Sequence, residues 1–129
     1  MVRETNFKKT SYGAPVQILL NPDLQFGVGV VVDNATSVKD DAGRKIVKAG
    51  TPLVGDLTAR NTAFTVATSE NAASVVGVLL HDVEVTSGKA NGTLLIFGFV
   101  NINRLDSATK AMITDDVKKA IPAVRFIAG

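Results

Sequence analysis

The chain has 129 residues, 46% of them apolar and 20% charged, with a net charge of +2 and no cysteine. That length suits one domain around a single core, and the missing cysteines exclude a disulfide framework and thiolate metal sites. The basic residues form no run longer than the pairs Lys8-Lys9 and Lys118-Lys119, and the only aromatics are six Phe and one Tyr, so the concentrated basic face with stacking rings that nucleic-acid binding uses is not expected.

The charged share lies a little under the roughly 25% usual for soluble domains, so part of the apolar surface is expected to be covered by other copies. The longest apolar run, Leu94 to Val100, is far shorter than the roughly 20 residues that span a bilayer. The opening MVRETNFKKTSYGAP has no apolar stretch behind its charges and does not read as a signal peptide. Lack of cysteine suits a reducing cytoplasm.

Residues 1–15 are polar, with isolated Phe7 and Tyr12 and no sustained period, and are expected to form an extended N-terminal arm ahead of a domain over 16–129. Val16 to Leu20, Phe26 to Val32 and Ile46 to Val54 read as strands separated by turn sequences at Asn21-Pro22-Asp23 and Asp40 to Gly43. Gly27 and Gly29 inside FGVGVVV point to a bulge or a close backbone approach. In KIVKAGTPL, Gly50 and Pro52 sit beside an apolar strand that ends in a tight turn. Asp56 to Ser74, rich in Thr, Ala, Asn and Ser, reads as an irregular strand or a long surface loop.

Val75 to Val85 and Thr93 to Val100 are the strongest strands. They are joined by TSGKANG with Asn91-Gly92 as the turn, and both are apolar at successive positions, so both faces should be covered. Leu105, Ala108, Met112, Ile113, Val117, Ala120 and Ile121 recur at helical steps, with Asp106 or Ser107 as N-cap, a break near Thr114 and Pro122 as terminator. Ala123 to Ile127 adds a last strand. The fold class expected is mainly β with one short C-terminal helix.

No catalytic, metal-binding or cofactor-binding residue is expected. His81 is the sole histidine, and in an extended strand Asp82 points away from His81 and Glu84, so the three do not converge. The pairs Asp40-Asp41 and Asp115-Asp116 read as solvated turn and helix positions. Gly27-x-Gly29 lacks the third glycine of a dinucleotide fingerprint, and Gly88-Lys89 lacks the upstream glycine of a phosphate loop. The interaction signal lies in the arm. An extended segment anchored by Phe7 and Tyr12 is suited to joining a partner's sheet edge, with Arg3, Lys8 and Lys9 against acidic or polar rims; a frayed terminus is the competing reading.

The order VVGVLLHDVEV, SGKANG, TLLIFGFVNINRL, helix, RFI resembles the C-terminal half of the lambda head decoration protein D family. The matching positions are Gly77-Val78-Leu79 with Asp82-Val83, then Gly98 to Leu105 with Asn101 between, then the helix. KIVKAGTPL is similar to the strand and G-T-P-L turn of small phage head proteins, including head fibre proteins. The likeness covers Lys45 to the C-terminus; the charged turn Lys39 to Lys45, the long Thr/Asn-rich middle and the lack of tryptophan depart from it.

The resemblance implies a compact β-clip-like single domain, a homotrimer on the outer capsid surface of a tailed-phage head, and an N-terminal arm that engages the shell. The major capsid protein and other copies of the chain would be the partners, with no enzyme activity, nucleic acid or membrane involved. The location would be the virion after synthesis in the host cytoplasm. The alternatives are a small trimeric β-clip enzyme or ligand-binding module, which needs converging acids and a phosphate clamp, and a tail or baseplate adaptor.

Overall fold

A computed structural model describes residues 17–34 and 39–129. The arm expected over 1–15, with Arg3, Phe7, Lys8, Lys9 and Tyr12, lies outside the described residues. In chain order the elements are β1 (Gln25–Val32), β2 (Ile46–Val47), β3 (Pro52–Val54), β4 (Thr65–Val66), β5 (Val75–Leu79), β6 (Val83–Glu84), β7 (Ala90–Asn101), α1 (Ser107–Ala111), α2 (Asp115–Ala120) and β8 (Val124–Ile127). They form one compact, mainly β domain with two short helices. No helix among the described residues is long and apolar enough to cross a membrane.

β7 is the hub. One side pairs antiparallel with β1 from Gln25↔Gly98 to Val32↔Ala90. The other pairs first with β5 at Val78↔Leu95 and Leu79↔Leu94, then in parallel with β8 from Gly98↔Val124 to Asn101↔Ile127. β3 joins β5, and β4 joins β3. The ring then closes, because Phe64, just before β4, bridges Val32 of β1: its N–H donates to the Val31 carbonyl at 2.7 Å and its carbonyl accepts from the Asp33 N–H at 2.9 Å. Closure removes edges that would otherwise offer unpaired backbone groups.

Period-2 alternation sorts the side chains into two cores. Val30, Val32, Leu53, Phe64, Leu79 and Leu94 fill the interior of the ring. Val75, Val78, Leu95, Val100 and Val124 point the other way and are covered by Ile18, Leu19 and, from α2 and its end, Val117 and Ile121. Leu94 and Leu95, adjacent in sequence, therefore lie in different cores. This is the two-sided burial expected of the β5 and β7 runs.

Several sequence expectations are corrected in detail. The run Val75 to Val85 is not one strand: it breaks after Leu79, and β6 leaves β7 to pair with β2 at Ile46↔Glu84 and Val47↔Val83. Asn91-Gly92 is not the turn but lies within β7, and the reversal is made at Gly88, whose φ of 132° suits glycine and whose N–H donates to the Val85 carbonyl. Ile46 to Val54 splits into β2 and β3 around Gly50 (φ 91°), so Pro52 opens β3, a strand position where its missing donor is tolerated.

The C-terminal stretch forms two helices where one short helix was expected, and they part at the break expected near Thr114. Asp106 caps α1 by accepting from the Ala108 N–H, while Thr114 ends that stretch and caps α2 by accepting from the Val117 N–H. Thr109 is buried where the periodic reading placed Ala108. Val16 to Leu20 is reduced, within its described part, to a single bridge, Leu19↔Val100.

Candidate interaction surface

β1 and β7 run on past the end of the ring, and there the face that points inward elsewhere has nothing to cover it. Leu24 and Phe26 share the alternation of Val28, Val30 and Val32, yet Phe26 is 57% exposed and Leu24 49% exposed. Phe97, directly opposite Phe26, is 44% exposed. A bulge sets this pairing: Phe26 faces Phe97 and Gly27 faces Leu95, so Ile96 is the extra residue. Gly27 permits the close approach, since a Cβ there would lie 2.8 Å from Thr93 Cγ2.

The strip continues sideways. Leu20, whose N–H donates to the Phe99 carbonyl, is exposed on one flank, and Ile127 of β8 is exposed on the other. Half-buried Phe99 lies between them, opposite Arg125 in the β7–β8 register. The far end is closed by Asn101, a buried side chain whose Oδ1 accepts from the N–H groups of Asn103 and Gly129, at 3.0 and 3.1 Å. Asn103 Nδ2 donates to the Gly129 carbonyl, and Arg104 Nη1 donates to the Gln17 carbonyl. The last described residue is thus tied to the far end of the strip.

The polar residues weighed for chemistry do not converge. His81 is exposed at the bend after β5. Asp82 Oδ1 accepts from the Ala49 N–H at 2.7 Å and fastens the β2–β3 turn, while Glu84 accepts from the Thr86 hydroxyl. Among the described residues no group of three His, Asp or Glu is placed to hold a metal ion. Asp115 and Asp116 occupy the first turn of α2, where acids favour the helix dipole.

Asp40 orders the turn that follows it, accepting from the N–H groups of Ala42 and Arg44 and pairing with the Arg44 guanidinium at 3.3 Å. The Arg44 amide, foremost, holds this carboxyl below the usual aspartate range. A depressed folded-state pKa means that the support is present above the ordinary value and is lost as pH falls through the lower, folded one. The Ala42 and Arg44 amide resonances are therefore expected to shift with a midpoint more acid than that of an ordinary aspartate; a midpoint at the ordinary value would contradict the turn geometry.

Of the residues proposed from sequence for partner contact, Arg3, Phe7, Lys8, Lys9 and Tyr12, none falls within the described residues. The exposed strip was not foreseen. Its only sequence signal was the low charge relative to apolar content, because alternation alone assigns Phe26 to the core. Comparison with models of protein families and with curated proteins found no match.

Proposed function

We propose that this chain is a non-enzymatic structural protein of a tailed-phage head: a decoration, or cement, protein that binds the outer capsid surface as a homotrimer and stabilises the shell, in some heads as the base of a fibre. The observation that carries the reading is the apolar strip from Leu20 to Ile127, a surface suited to protein contact on a body whose Asp82, Asn101 and Arg104 are engaged in fastening backbone. The order of motifs from Lys45 onward and the small closed sheet fit a β-clip-like domain.

Such a role needs no reactive group. A clamp bridging neighbouring capsid subunits must itself be detached before they separate, and three linked attachments give avidity beyond that of one. The proposed arm, residues 1–15, precedes Gln17, whose carbonyl accepts from Arg104.

The test is addition of the purified chain to capsids of its phage that lack it. The full chain is expected to bind and to raise the temperature at which the shells break, whereas a variant lacking Met1 to Gly13 stays folded and oligomeric but no longer adds. Undiminished binding by the truncated protein sinks the role of the arm. Failure of the full chain to bind sinks the decoration reading.

A further inference from the structure

We infer that the Leu24, Phe26, Phe97 and Ile127 strip is the contact between copies of this chain, laid so that Asp23 at its β1 border meets Arg125 at the β8 border of the next copy. The inference deepens the reading above and rests on its self-association, while naming the surface that achieves it. From their exposed fractions, the strip and Leu20 offer roughly 450 Å² of apolar surface, which is the size of the largest patch on a typical monomer. Half-buried Phe99 extends the same face, and together they form the apolar centre of the ~800 Å² that each partner contributes to a stable interface.

Three features select a second copy as the occupant. The strip is a sheet face continuous with β1, β7 and β8, and a sheet face packs best against another with aligned strands. Its centre is two paired phenylalanines, Phe26 and Phe97, aromatic anchors of the kind that dominate interface energetics. Its borders are charged with opposite signs on opposite sides. Asp23 precedes β1 and Arg125 lies on β8, across β7; both are exposed, and neither side chain forms an ion pair with another described residue. Further copies repeated head to tail supply the same apolar face and, at each border, the complementary charge, as a closed ring of three requires.

The experiment is sedimentation of the full chain over a range of concentrations, with Phe26→Asp, Phe97→Asp, Asp23→Arg, Arg125→Asp and the last two combined. Because these positions are exposed, circular dichroism and melting should report an intact fold. Each Phe→Asp change is expected to weaken association by about 30-fold or more, as loss of a central anchor does. Each single charge reversal should weaken it several-fold, and the combined reversal should restore it.

Oligomers that persist in Phe26→Asp and Phe97→Asp overturn the inference. If those same variants cease to add to capsids, the strip instead covers the shell and the decoration reading survives. If the charge reversals have no effect, or their combination fails to restore assembly, the edge pairing is overturned. Dissociation by the Phe variants, with no capsid binding by the unaltered chain, leaves this inference standing and removes the decoration reading.

Discussion

Replacing Phe64 by alanine is expected to lower the free energy of unfolding by about 3–5 kcal/mol, the range for deleting a large buried ring. Phe64 is fully buried within the ring formed by β1, β7, β5, β3 and β4, and its ring packs directly over Gly55. Small domains are stable by only about 5–15 kcal/mol, so this one change removes a large share. Phe64 also carries the seam, through hydrogen bonds to Val31 and from Asp33.

A loosened seam should open locally before the domain unfolds, so the Phe64-position and Asp33 amides should lose more exchange protection than the Leu79 and Leu94 amides on the far side. Phe26→Ala is the control. It deletes the same ring from an exposed position and should cost far less, when urea unfolding of all variants is compared at one protein concentration, because association shifts apparent stability. Equal losses for Phe26→Ala and Phe64→Ala would contradict the interior assigned to the ring.

Phe64 also marks where the sequence stops being informative. Local chemistry named β1, β8, the paired cores of β5 and β7, the bulge near Gly27, the cap at Asp106 and the helix break near Thr114, because each depends on alternation, helical spacing or a side chain reaching its own backbone. Phe64 joins Val32 across a separation of thirty-two residues, from a Thr- and Asn-rich stretch with no period, and no local pattern encodes that pairing.

The exposed strip was hidden for a related reason. Leu24 and Phe26 obey the same alternation as Val28 to Val32, and they become surface only because β1 and β7 outrun the ring. Asn91-Gly92 misled in the opposite direction. The dipeptide favours a hairpin turn, but Gly92 serves here as a gap, since a Cβ would crowd Val83, Leu79 and Val32 at 2.9 to 3.1 Å.

The same crowding gives the second large effect. A Cβ at Gly77 would lie 2.5 Å from the Leu95 carbonyl oxygen and 2.9 Å from Leu94 Cγ. Gly77 is paired with Leu53 in the middle of the sheet, and the nearest obstacle is backbone, so the new methyl cannot be relieved by turning a side chain. Relief requires β5 to move away from β7, which strains Val78↔Leu95 and Leu79↔Leu94 together. Gly77→Ala is therefore expected to cost at least the roughly 1–3 kcal/mol typical of overpacking, a substantial part of the about 5–15 kcal/mol by which a small domain is stable.

Gly29→Ala provides the opposite case in the same sheet. No atom lies within 4 Å of a Cβ at Gly29, so alanine there should be neutral or should stabilise the strand by about 0.5–1 kcal/mol through a smaller loss of backbone entropy. Thermal melts of the two variants should then move in opposite directions, Gly77→Ala down and Gly29→Ala level or up. If both fall alike, the sheet tolerates no change at its glycines for reasons of backbone conformation, and the close approach of β5 to β7 is not what holds Gly77 in place.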